Sequence, residues 1–138
     1  MKNVKIAFLI IVCFMVLISC KSRNEINCTT EYRMLTISVI DSMSKPVLLS
    51  QYFVKKTSTG EIINFKQEDP YLDSINRMNG VYFILTDGKM AMTLKNGTEF
   101  QFIGMIDNEE IVNEKYIIGN DGCHVQILSG KTQIIIKP

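Results

Sequence analysis

From Tyr32 onward, polar and apolar residues alternate. Leu35, Ile37 and Val39 fall on one face of an extended segment, and Met34, Thr36 and Ser38 on the other, which is the period-two signature of a half-buried strand. Further β-branched or aromatic runs occupy Val47–Lys55, Glu61–Phe65, Val81–Leu85, Met90–Leu94, Glu99–Ile106, Ile111–Ile118, Cys123–Leu128 and Thr132–Ile136. Between them lie Ser58-Thr59-Gly60, Asn79-Gly80, Asp87-Gly88, Asn96-Gly97, Asn120-Asp121-Gly122 and Ser129-Gly130, which supply the positive φ that tight hairpins require. Past the first twenty residues no stretch of ten or more carries a 3.6 period, although Tyr71–Met78 and Asn108–Glu114 each allow one short helical turn. Residues 66–80, with Pro70 and mixed polarity, form the longest irregular stretch and are expected to cross between sheets. The pattern predicts an all-β domain over residues 31–138, with seven or more short strands arranged as a sandwich.

The start of the chain follows another rule. Lys2 and Lys5 precede an apolar run, Ile6–Ile18, and then Ser19 and Cys20, the three-part layout of a secretory signal. About 13 apolar residues are too few for a bilayer core, which takes about 20. Leu17-Ile18-Ser19-Cys20 resembles the lipobox of bacterial lipoproteins, in which an aliphatic and a small residue precede an obligatory cysteine. The resemblance implies that residues 1–19 are removed, that Cys20 receives a diacylglyceryl group, and that its new amino terminus is acylated. Two or more chains make such an attachment effectively stable. Lys21-Ser22-Arg23 lack the acidic residue associated with inner-membrane retention, so the resemblance points to the outer membrane, with the periplasmic or exterior face left open. Residues 20–30 then serve as a lipidated tether, in which residues 21–30 extend at most about 33 Å.

Composition adds limits. Lys2 and Lys5 leave with the signal, so the 15 Lys and Arg of the whole chain become 13 against 14 Asp and Glu, and the net charge moves from +1 to −1. With no basic run, nucleic acid is not an expected partner. A chain of this size can bury roughly two thirds of its unfolded surface, enough for one core without a metal. Cys13 leaves with the signal and Cys20 is acylated, which strands Cys28 and Cys123 in an exported, oxidising compartment where two thiols usually pair. The alternative is two buried thiols lying apart.

A second resemblance covers about residues 31–106. Leu35-Thr36-Ile37-Ser38-Val39-Ile40-Asp41, Lys45-Pro46-Val47, Thr57-Ser58-Thr59-Gly60-Glu61 and Asn79-Gly80-Val81-Tyr82-Phe83 follow the order of the carboxypeptidase regulatory-like, or transthyretin-like, sandwich. Ser44 stands where that family often has glycine, and Met43 where it has a polar turn residue. The resemblance implies a seven-stranded antiparallel Greek-key sandwich, transthyretin-like or immunoglobulin-like, that acts as an accessory module without catalytic residues or cofactors.

Candidate chemistry is sparse. His124 is the single histidine; in a strand it points opposite to Cys123, so the two do not clasp one metal. The expectation is a partly covered or outward imidazole beside an inward Cys123. A nucleophilic triad would need His124 beside an activated serine and an orienting aspartate, and no Gly-x-Ser-x-Gly or comparable signature occurs. Glu68-Asp69 and Glu109-Glu110 read as solvated surface charge. Met90 and Met92 share a face of a predicted strand; thioethers bind cuprous copper, but core filling is their commoner use. Without tryptophan, sugar stacking would fall to Tyr32, Tyr52, Tyr71, Tyr82 or Tyr116. Asn27-Cys28-Thr29 and Asn96-Gly97-Thr98 fit an N-glycosylation pattern that a bacterial export route leaves idle. Asp41-Ser42-Met43 and Asp73-Ser74-Ile75 look like the acceptor triplet of a general O-glycosylation system, which makes Ser42 and Ser74 candidate sites.

The sequence therefore leads to a non-enzymatic membrane-anchored lipoprotein that binds or supports another envelope protein. A glycan- or lipid-binding lipoprotein, and a small envelope hydrolase or inhibitor, are the rival readings.

Overall fold

The structure, a computed structural model, describes residues 27–63, 65 and 70–137. The expected signal over residues 1–19, Cys20 and the expected tether up to residue 26 lie outside the described residues.

The domain is an all-β sandwich. Among the described residues eight strands, β1 (Met34–Asp41), β2 (Gln51–Lys56), β3 (Ile62–Ile63), β4 (Val81–Thr86), β5 (Thr98–Ile106), β6 (Glu109–Asn120), β7 (Val125–Ser129) and β8 (Gln133–Ile136), accompany one α-helix, α1 (Pro70–Met78), and a 3₁₀ helix, Asp87–Met92. They form a three-stranded sheet in the order β4-β1-β8 and a five-stranded sheet in the order β3-β2-β5-β6-β7. Every pairing is antiparallel except β1 with β8, which run parallel with Val39 opposite Ile134. This departs from the all-antiparallel expectation. Alternation works as predicted on β1: Ile37 and Val39 are sealed while Met34 is exposed. They face Val54, Phe100, Phe102 and Tyr116 across the sandwich in one continuous core, where each fully buried apolar side chain contributes about 1.5–3 kcal/mol.

The crossing expected within residues 66–80 is borne out to the extent that β3 belongs to the five-stranded sheet and β4, which follows the helix, to the three-stranded one. The helix there is longer than the single turn expected. Pro70 occupies its first position, Asp73 lies in the first turn and Arg77 in the last, an arrangement that suits both the missing proline N–H and the helix dipole. Gly80 ends it at φ 68°, and a side chain there would sit 2.6 Å from the Val39 carbonyl oxygen. The helix packs along β4.

Other expectations fail for local reasons. The predicted strand Met90–Leu94 is the end of the 3₁₀ helix and the turn that follows it, because the Thr93 N–H and hydroxyl both donate to the Met90 carbonyl. Met90 and Met92 are half-buried against the core. Asn108–Glu114 holds no helical turn. Asp107 and Asn108, at φ 49° and 66°, make a two-residue hairpin between β5 and β6; short polar side chains tolerate that left-handed backbone. Residues 47–50 do not join β2, since the Tyr82 hydroxyl donates to the Val47 carbonyl and accepts from the Leu49 N–H.

The two ends of the sandwich differ in what they carry. β1 runs from Met34 to Asp41 and its neighbour β4 from Val81 to Thr86 in the opposite sense. The N-terminal segment, Asp87 and the β6–β7 loop therefore gather at one end. The turn after β1, the end of α1 and Leu48 gather at the other.

Candidate functional site

The first polar cluster is built by the β6–β7 loop. Asp121 Oδ1 accepts the N–H groups of Cys123 and His124 at 2.8 and 2.7 Å, and the Asp121 N–H donates to the His124 carbonyl. The chain is coiled around one carboxylate here, so strand alternation does not govern Cys123 and His124. The expected orientations are reversed: His124 is buried, 6% exposed, and Cys123 is half-exposed. Cys123 bonds to Cys28 with 5.3 Å between their Cα atoms, so the two thiols pair rather than lie apart.

Asp87, the first residue of the 3₁₀ helix, receives the imidazole. Its Oδ2 lies 2.7 Å from His124 Nδ1 and accepts the Arg33 N–H at 2.7 Å, while Oδ1 accepts the Val125 N–H at 2.8 Å. Burial pushes the Asp87 carboxyl up, but the hydrogen bonds from His124, Arg33 and Val125 outweigh it and hold the group below its ordinary value. The ionised carboxylate places the imidazole proton on Nδ1. His124 Nε2, 2.9 Å from Thr29 Oγ1, then accepts the threonine hydroxyl.

Asp87, His124 and Thr29 thus stand in the carboxylate–imidazole–hydroxyl order that activates a nucleophile in hydrolases. Here the order also ties separate segments of the fold together. Two of the Asp87 bonds hold backbone N–H groups at the edges of β1 and β7, and the hydroxyl belongs to the segment that the disulfide already pins. Both imidazole nitrogens are engaged, which leaves neither for a metal ion. Sequence reasoning tested His124 against serine motifs and missed Thr29 and Asp87, because the three residues come from segments 95 and 37 positions apart and carry no local signature.

The second cluster lies where α1 crosses the open edge between the sheets. Tyr52 donates to Asp73 Oδ1 at 2.5 Å, and the Arg77 guanidinium sits 5.8 Å from the Tyr52 ring centroid. Arg77 also donates to the carbonyls of Leu49 and Ser50. Burial, reinforced by the hydrogen bond to Asp73, holds the Tyr52 hydroxyl far above the ordinary phenol range. Two clefts of about 560 Å³ each flank this cluster: one is bounded by Leu48, Pro70, Ser74 and Met78, the other by Gln51, Phe53, Ile62 and Phe65. Leu48 and Met78 are 60% and 64% exposed, and Met43, on the turn after β1, is 70% exposed.

Of the five tyrosines, Tyr82 and Tyr116 are sealed in the core, Tyr52 is half-buried, and Tyr32 and Tyr71 present open rings. Ser42 and Ser74 are both exposed, on the turn after β1 and on α1. The acids Glu109 and Glu110 are exposed at the start of β6, as expected, while Glu68 and Asp69 lie outside the described residues. Comparison of the chain with protein-family models, with curated proteins and with solved structures finds no match.

Proposed function

We propose that this chain is the precursor of a lipoprotein held in the cell envelope through acylated Cys20, outer membrane by destination, and that its sandwich is a non-enzymatic module presenting one end to another envelope protein. The observation that carries this reading is the opposite placement of two features. The Cys28–Cys123 bond fastens the segment that follows the lipobox to one end of the sandwich. Uncovered apolar side chains, Met43, Leu48 and Met78, stand at the other. Clustered apolar exposure of this kind marks interaction surfaces, and a tether at the opposite end leaves it facing away from the bilayer. The transthyretin-like resemblance over residues 31–106 supports the same role.

Two measurements test it. Palmitate labelling is expected for the native protein and not for Cys20→Ala; an unlabelled native protein rejects the anchor. A photo-crosslinking residue at position 48 in intact envelopes is expected to yield a discrete adduct with a second protein, absent when the crosslinker stands at Lys115 and abolished by Met78→Asp. Identical adduct patterns from both positions reject the docking end. Ser42 and Ser74 are proposed O-glycosylation acceptors, checked by a mass shift that Ser42→Ala with Ser74→Ala removes.

The cleft between Tyr52, Phe65 and Arg77 favours a second reading, a glycan- or lipid-binding lipoprotein. About 560 Å³ lies within the ordinary range of small-ligand sites, and Asp73 and Arg77 are convergent polar groups of the kind that orient a ligand. A co-purifying lipid or glycan that is lost in Arg77→Ala would move the assignment to this reading.

A further inference from the structure

The end of the sandwich that receives the tether carries a turn whose chemistry fits a bilayer surface. Leu94, Lys95, Asn96 and Gly97 form a tight turn closed by the Gly97 N–H donating to the Leu94 carbonyl at 3.0 Å. The turn is held firmly. The Leu94 N–H donates to Thr98 Oγ1, and Asn120 Nδ2 binds both the Thr93 carbonyl and its hydroxyl, the latter at 2.8 Å. Gly119 of β6 passes so close under it that a side chain there would stand 2.8 Å from the Lys95 carbonyl oxygen. So braced, Leu94 projects with 69% of its surface open, next to the exposed Lys95 and five residues after the half-exposed Lys89. Among the described residues neither lysine has an ion-pair partner, whereas Arg33 at the same end lies 3.9 Å from Glu31.

The path of the chain says what this turn meets. Asn120, which grips Thr93, lies three residues before Cys123, and Cys123 is bonded to Cys28. From Cys28 back to Cys20 are eight residues, which span at most about 29 Å. A leash of that length lets the Leu94 turn reach the zone where basic side chains feel anionic headgroups, whose field decays over about 8–10 Å at physiological salt. We propose that the Leu94–Gly97 turn is a membrane-contacting surface: Leu94 enters the headgroup region of the bilayer that holds the acyl chains, Lys89 and Lys95 pair with anionic lipid phosphates, and the sandwich is thereby fixed upright with the Met43–Leu48–Met78 end outward. The proposal rests on the acylation of Cys20.

The chain contains no tryptophan, so one introduced tryptophan reports its own surroundings. The full-length acylated protein carrying Leu94→Trp, and separately Met43→Trp, is reconstituted into vesicles of phosphatidylethanolamine with phosphatidylglycerol that include nitroxide-labelled lipid, and the vesicles are floated. Both positions are exposed, and the unchanged circular dichroism of each variant verifies the fold. Flotation with a blue-shifted, quenched emission from position 94 and an unquenched emission from position 43 is the expected result. Adding Lys89→Glu with Lys95→Glu should reduce the quenching at position 94 while flotation persists. Flotation with position 94 unquenched, or with both positions quenched alike, overturns the contact and leaves the anchor standing. Protein that stays at the bottom of the gradient overturns the anchor itself.

Discussion

The two ends of the sandwich solve the problem of loop stability by different means. At the tether end a disulfide joins two segments, two carboxylates gather backbone N–H groups and an imidazole, and a single half-buried carboxylate, Asp87, holds three donors. At the far end one phenol, Tyr82, holds two backbone groups, the apolar side chains above it stay open, and α1 rests on the edge of β4 with none of its residues fully buried. Polar interlocking ties the loops of one end to one another, whereas the other end is held from beneath and its apolar outer surface stays uncovered. Under the proposed function, the tether end would bear the load of the anchor and the far end recognition.

Removing the covalent part of that contrast should have the largest effect. The Cys28–Cys123 bond closes a loop of 95 residues, which in the chain-entropy model is worth about 4–5 kcal/mol. Reduction, or Cys28→Ser with Cys123→Ser, should lower stability to denaturant by up to that amount. Hydrogen exchange should rise at the tether end first, at the Arg33 and Val125 amides whose acceptor is Asp87, and later at Leu49. Uniform loosening of both ends would erase the distinction.

Tyr82→Phe attacks the far end. It leaves the Leu49 N–H without its acceptor in a fully buried position, at a cost of about 1–3 kcal/mol. Denaturant unfolding measures the loss, and fast exchange of the Leu49 amide localises it. The Thr29–His124 contact should be undisturbed, which the imidazole NMR resonances of His124 report.

Much of this was legible beforehand, and the failures share a cause. Alternation along β1 and the glycine turns fixed the sandwich, because side-chain burial in a strand depends on immediate neighbours. The disulfide followed from counting the thiols that the expected export route would leave together. What stayed hidden in the loops was decided by side chains bonding to backbone two or three residues away and by polar residues adopting left-handed backbone, neither of which alternation registers. Asp121 coiled its own loop and turned His124 inward, Thr93 bent Met90–Leu94 out of a strand, and Asp107 and Asn108 made a hairpin without glycine. The candidate site was the least legible part, since Thr29, Asp87 and His124 become neighbours only when the N-terminal segment, the 3₁₀ helix and the β6–β7 loop meet.

The smallest expected effect, about 1–2 kcal/mol, comes from Asp87→Asn, and its dependence on pH sharpens the comparison. An amide keeps the shape of the carboxylate but offers one acceptor oxygen in place of two, so either the Val125 N–H or the Arg33 N–H with His124 Nδ1 faces a donor. The folded state holds the Asp87 carboxyl below its ordinary value of 3.8. Stability linked to it is therefore fully present above the unfolded value and is lost as pH falls through the lower folded one. Native protein should weaken progressively below about pH 4.5, and Asp87→Asn should start lower and follow a shallower acid limb. Asp121 is depressed as well, by the His124 and Cys123 N–H groups it accepts, so the limb should flatten without vanishing. Tyr82→Phe should keep the native slope, because the Tyr82 hydroxyl is held above its ordinary value and titrates far from this range. Equal slopes for native protein and Asp87→Asn would mean that the carboxylate at the tether end contributes through shape alone, and the contrast between a charge-locked end and a packed one would fail.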